Sequence, residues 1–151
     1  MAKLSKILAT LFGLGHSPIV PGTVGTMLGL PVYFLLYQLG NFYFAIALII
    51  ISFVSIPICG RAAKEHFNHS DPSPVVLDEL CGFLVTLAFH EPNSANLAIG
   101  FILFRIFDIA KFWPMSAAEK LQGGLGIVAD DLIAGVFANV SLIAIIMLFN
   151  L

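Results

Sequence analysis

The chain alternates apolar runs with short polar interruptions, and the run lengths set the first expectation. Residues 2–12 carry Lys3 and Lys6 on one side of an otherwise apolar stretch, the pattern of a short amphipathic helix at an interface. Residues 13–26, GLGHSPIVPGTVGT, are rich in Gly and Pro and read as a loop. Residues 27–39 are apolar, Gly40-Asn41 marks a turn, and 42–59 form an almost uninterrupted apolar run of 18 residues, the lower limit for a membrane span. After the polar stretch 60–74, residues 75–89 read as a helix with Asp78 and Glu79 in its first turn. A polar link at 90–96 leads to the apolar run 97–110, a second loop occupies 112–129, and Asp130 opens the final apolar segment.

Composition makes these runs membrane candidates rather than soluble core. The chain is 59% hydrophobic and only 11% charged, with a mean hydropathy of +0.99. An ordinary soluble domain is roughly 45–50% apolar, so some runs must face lipid as well as one another. A length of 151 residues suits a single domain, 1–151. A net charge of −2 offers nothing to nucleic acid. The N-terminal stretch lacks the pattern of a cleaved signal peptide. Cys59 and Cys81 sit in or beside apolar runs and read as packing thiols.

Charge placement orients the pieces. Lys3, Lys6, Arg61, Lys64, Arg105, Lys111 and Lys120 fall in three patches, and the links after the first and third main runs carry no Lys or Arg. The positive-inside rule puts the N-terminus and the stretches 60–74 and 111–129 in the cytoplasm. Links 40–41 and 90–96 and the C-terminus then lie outside. The expected architecture is an all-α, multi-pass membrane bundle of about four embedded helices plus a short N-terminal interfacial helix. Several runs fall short of a full span, so tilt, local bilayer thinning or partial burial must make up the difference.

Within this topology two carboxylate doublets, Asp78-Glu79 and Asp130-Asp131, share the cytoplasmic level with Asp108. Adjacent like charges resist joint ionisation unless a cation compensates them, and charges near the bilayer mark functional sites by default. Five carboxylates from three helix ends could hold Mg²⁺, which takes hard oxygen ligands. The competing account is macrodipole-favoured acids at helix starts, which explains single acids better than doublets. Arg105, Asp108 and Lys111 recur every three residues and would share a helix face, as phosphate ligands or as snorkelling cations with an internal ion pair. Pro21-Gly22-Thr23, Gly25-Thr26 and the 123–126 stretch could present backbone N–H groups to a phosphate. His16 is a further candidate phosphate contact. His66, His69 and Asp71 read as a solvated loop rather than a zinc site, and Trp113 as an interfacial aromatic.

In order and spacing, GLGHSPIVPGTVGT (13–26), VVLDELCG (75–82), FRIFDIAKFWP (104–114) and GGLGIVADDLIAG (123–135) resemble the phosphatidylglycerophosphatase A family. The resemblance implies Mg²⁺-dependent removal of the terminal phosphate of phosphatidylglycerophosphate, giving phosphatidylglycerol, at the cytoplasmic face of a bacterial inner membrane. It implies metal or catalytic roles for Asp78, Glu79, Asp108, Asp130 and Asp131. It also implies phosphate contacts for Arg105 and Lys111, and a site-lining role for Pro21, Gly22, Thr23 and Thr26. The family's K-P-x-P is Lys111-Phe112-Trp113-Pro114 here. The expected chemistry is in-line attack of water on phosphorus, with Asp130 or Asp131 as base. The alternative from a different class is a small divalent-cation binding or transport protein, which would need polar groups near mid-span.

Overall fold

The structure, a computed structural model, describes residues 2–67 and 72–149. Helices account for the regular structure: α1 (Ala2–Ala9), α2 (Pro21–Tyr37), α3 (Asn41–Ala62), α4 (Leu77–Leu87), α5 (Ser94–Ala110), α6 (Met115–Ala118) and α7 (Gly124–Phe149). A π-helical turn, Ala63–Phe67, extends α3. No strand occurs among the described residues.

Two helices are long and apolar enough to cross a membrane: α3 with its extension, 27 residues from Asn41 to Phe67, and α7, with 26 residues. At 1.5 Å per residue α7 reaches about 39 Å, more than the ~30 Å hydrocarbon core. The other bundle helices are shorter. By the same rise α2 and α5 cover about 25 Å and α4 about 16 Å, so α4 cannot span. Helix length and apolarity thus mark two candidate spans, α3 and α7, against the about four embedded helices expected from the run pattern. Of the five bundle helices, α2–α5 and α7, two meet the criterion for a span.

Several boundaries move for identifiable reasons. The stretch 21–26 is the opening of α2 and not a loop. Pro21 occupies its first turn, where a missing N–H costs nothing, and Gly22 and Gly25 let α2 approach α4 closely. The N-terminal helix stops at Ala9 because Leu11 and Phe12 take positive φ. Helix α7 starts at Gly124, so Asp130-Asp131 lies in its second turn. Asn93 caps α5 by accepting from the Asn96 N–H at 2.8 Å.

The short helix α4 sits at the centre, packed on α2, α3, α5 and α7, with Leu80 through Leu84, Thr86 and Leu87 buried. Its crossing with α7 is made by backbone. A Cβ on Gly135 would fall 2.3 Å from the Gly82 carbonyl oxygen, and one on Gly82 would fall 2.5 Å from the Asp131 carbonyl oxygen. Small residues permit this approach. Thr86 Oγ1 donates to Gly82 O at 3.1 Å and reaches Gly135 O at 3.5 Å. At the far end of α4 the Asn139 amide of α7 donates to the carbonyls of Val85, Thr86 and Ala88 at 3.1, 2.9 and 3.0 Å, closing a helix end that would otherwise strand its acceptors inside the bundle. Cys59 and Cys81 are buried and not joined in a disulfide, in line with a packing role.

Candidate active site

The glycine crossing places the acids. Asp78 lies four residues before Gly82 and Asp131 four residues before Gly135, one helical turn from the contact on each helix. The ligand oxygens of Asp78, Glu79 and Asp131 consequently all lie within 4.8 Å of one another. Asp108 on α5 comes within hydrogen-bonding reach of Asp131. It also accepts from Arg105 Nη1 at 2.5 Å, a pair largely shielded from solvent. Arg105 reaches across to α2, where Nη1 donates to Thr26 Oγ1 at 3.5 Å, and Thr26 in turn donates to Gly22 O at 2.8 Å. Lys111, in the left-handed conformation at the end of α5, bridges Asp130 (2.9 Å) and Glu119 (3.0 Å).

A cavity of about 300 Å³ opens onto this cluster. Pro21, Gly22, Glu79, Arg105, Asp108 and Lys111 line it, joined by Ser73, Val75, Val20 and Ile109. Of the residues singled out by sequence, Thr26 is buried behind the cavity and supports Arg105, while Thr23 is half-buried and does not line it. His16 is exposed beside the Phe67 ring at 6.1 Å and does not line it either. Asp130 is buried, and its ion pair is with Lys111, outside the three-carboxylate group. His69 and Asp71 lie outside the described residues. Sequence reasoning passed over Ser73 and Glu119. Ser73 stands four residues before α4 and could have been suspected from that place; Glu119 carries no local signal.

The electrostatics are those of acids under constraint. Burial, then the neighbouring Glu79 charge, holds the Asp78 carboxyl well above the usual carboxylate range. Burial is also the main cause at Glu79, pushing it up to about 7, while a hydrogen bond from Asp78 and the Arg105 charge pull it partly back. Among the described residues, buried Asp78 Oδ1 and Glu79 Oε2 find no hydrogen-bond partner, and neither does the buried Arg105 Nε. Unsatisfied carboxylate oxygens suit a hard cation, and an unsatisfied guanidinium N–H suits an anion. The donor set thus fits a divalent metal beside a phosphate.

These raised values have a sign. Between about pH 4.5 and about pH 7 the folded protein holds protons that the unfolded chain has released, so stability falls as pH rises. Thermal melts of metal-free protein from about pH 5 to about pH 8 should show a falling midpoint. Saturating Mg²⁺ should offset the fall, because the cation favours the ionised form. A midpoint that rises through this window, or ignores Mg²⁺ throughout it, would contradict the arrangement.

Acids and cations gathered at one end of an apolar helical bundle suit a class of membrane-associated enzymes acting on phosphate esters. The chain matches the model of the family described as Phosphatidylglycerophosphatase A over residues 7–146. It is 35% identical over 134 residues to Phosphatidylglycerophosphatase A of Escherichia coli (strain K12), covering 87% of this chain and 77% of that one. It is 33% identical over 142 residues to the protein of that name from Haemophilus influenzae, covering 92% and 86%. It is 34% identical over 141 residues to a "Putative phosphatidylinositol-3-phosphatase" of Bacteroides thetaiotaomicron, covering 89% of each. No solved structure matches. The chain belongs to the phosphatidylglycerophosphatase A family, a family of lipid phosphatases.

Proposed function

We propose that this protein removes the terminal phosphate of phosphatidylglycerophosphate, in a Mg²⁺-dependent hydrolysis that yields phosphatidylglycerol. The carrying observation is the pairing, in one buried cluster, of unsatisfied carboxylate oxygens on Asp78 and Glu79 with an unsatisfied Arg105 Nε. Asp78, Glu79 and Asp131 would hold the cation, which supplies charge compensation and Lewis-acid activation when bound. Arg105 and Lys111 bind the phosphate oxygens and offset the charge that grows on them during transfer. Thr26 and Asp108 orient the Arg105 guanidinium. Water would attack phosphorus in line, opposite the glycerol oxygen; the bond from phosphorus to that oxygen breaks, and the departing oxygen takes a proton from solvent in the cavity, giving phosphatidylglycerol and inorganic phosphate. Among the candidate bases, Asp108 lines the cavity and Asp130 does not, which favours Asp108 for taking the water's proton. Asp130 and Glu119 hold Lys111 in place.

All seven cations belong to the end of the bundle that carries the site, which supports a cytoplasmic orientation in a bacterial inner membrane. The cation-transport alternative needs polar groups along the span. Of Ser52, Ser55 and Thr86, the polar residues along the runs, two are spent on helix carbonyls: Ser55 Oγ donates to Ser52 O at 2.7 Å, and Thr86 Oγ1 to Gly82 O. The test is phosphate release by purified protein from vesicles containing phosphatidylglycerophosphate or phosphatidylinositol 3-phosphate, with and without Mg²⁺. Mg²⁺-dependent release from the first lipid is expected. Equal rates in chelator would remove the metal assignment, and a preference for the phosphoinositide would change the substrate.

A further inference from the structure

The cavity has a charged interior and an apolar mouth. Val20 and Ile109 line it, yet stand 51% and 69% exposed. They come from the start of α2 and the last turn of α5. Both helices pack on α4 but scarcely on each other, apart from the Arg105–Thr26 hydrogen bond that spans them. Beside Val20, Ile19 is 75% exposed, and just past Lys111, Trp113 is 81% exposed. Large apolar side chains bared together mark a contact with membrane or protein, and Trp is favoured at headgroup level.

We propose that the gap between the N-terminal end of α2 and the C-terminal end of α5 is a lateral portal, through which a glycerophospholipid bearing a phosphate monoester enters the cavity directly from the bilayer. The proposal rests on the lipid-phosphatase reading above and adds the route. Charge complementarity selects the occupant. The phosphate moves in toward Arg105 and Lys111, while the glycerol and acyl chains remain against Val20, Ile109 and their exposed neighbours. A soluble phosphate ester would offer an acceptor to Arg105 Nε but leave the rim bare to water. An uncharged lipid would cover the rim but bring no anion to the Arg105 guanidinium, whose buried Nε finds no acceptor among the described residues.

Trp113 is the chain's only tryptophan, so its fluorescence reports on the rim. The probe is a non-hydrolysable phosphonate analogue of phosphatidic acid with brominated tails, doped into phosphatidylcholine vesicles holding the full-length protein. Phosphatidylserine with the same tails, at the same mole fraction, controls for general attraction of anionic lipid. The perturbing variant is Val20→Asn with Ile109→Asn. Val20 caps α2 in the left-handed conformation, which Asn tolerates better than Val, and Ile109 is at the surface, so folding is preserved. Stronger quenching by the phosphonate lipid than by phosphatidylserine is expected, with the excess lost in the double variant. The same variant should raise the KM for vesicle-borne phosphatidylglycerophosphate roughly tenfold, and that for a soluble short-chain analogue by less. Equal quenching by the two lipids, or an excess that survives the double substitution, overturns the portal. The quenching arm needs no turnover. Excess quenching by a protein that releases no phosphate would refute the phosphatase reading and leave the portal standing, whereas turnover without excess quenching would refute the portal alone.

Discussion

Asp131→Asn should lower phosphate release by about 10³-fold or more while raising the melting temperature of metal-free protein. The two effects share one cause. Asp131 joins Asp78 and Glu79 in a cluster where three carboxylates crowd within 4.8 Å, with Asp108 in reach of Asp131 as well. That crowding is unfavourable without a cation, so replacing one acid by a neutral amide of the same shape relieves repulsion and adds donors for its neighbours. With the cation expected in place, the same change removes a ligand and the preorganised charge that goes with it. Such opposition between stability and activity is common at sites built under strain. Phosphate-release assays and thermal melts on the same preparation check both. A variant with near-normal turnover would remove Asp131 from the site, and one that is inactive but melts lower would show that the loss is structural.

Gly22→Ala should cost about 10²-fold in activity, by displacing groups at the reacting centre, with little change in melting temperature. A Cβ at this position would fall 2.4 Å from Glu79 Oε1 and 3.0 Å from Arg105 Nη1. Both are ends of long side chains, which can swing aside more cheaply than backbone can. The fold survives the swing, and the arrangement of the cavity does not. Loss of function with the fold intact is therefore the signature. Activity within about twofold of wild type would show that Glu79 and Arg105 need not hold these positions, whereas a collapse in stability would move Gly22 into the structural frame.

The acids were legible because doublets are hard to explain in a chain with so few charges, and the Arg105–Asp108–Lys111 face because a spacing of three is a helical neighbour relation. The apolar run 42–59 likewise announced α3. What escaped depended on contacts between distant segments. The stretch 21–26 looks like a loop by composition, and only the approach of α4 explains glycines inside the first turns of a helix. Nothing local to Asp130 and Asp131 shows which of two adjacent acids faces the cluster. The pairing of Asp130 with Lys111 and of Asp131 with Asp78 and Glu79 follows from where α5 and α4 dock on α7. Glu119 escaped for the same reason, since its partner Lys111 is brought to it by the turn through α6. The run pattern does not fix how many helices cross, because hydropathy measures the apolarity of a run, whereas crossing depends on length and on what the run packs against.

The backbone joint at Gly82 and Gly135 bears on how this protein can diverge. Where two helices meet through side chains, each core substitution shifts the crossing a little, and ligands carried on those helices shift with it. Here backbone meets backbone at the two glycines that set the distance from Asp78 to Asp131, with Thr86 bonded across the joint and the Phe104 ring beside Gly82. Leucines, valines and phenylalanines elsewhere in the bundle can be exchanged, through many generations of sequence drift, with little leverage on the acids. Relatives that keep only about a third of their residues in common with this chain are compatible with one unmoved centre, provided the two contact positions stay small.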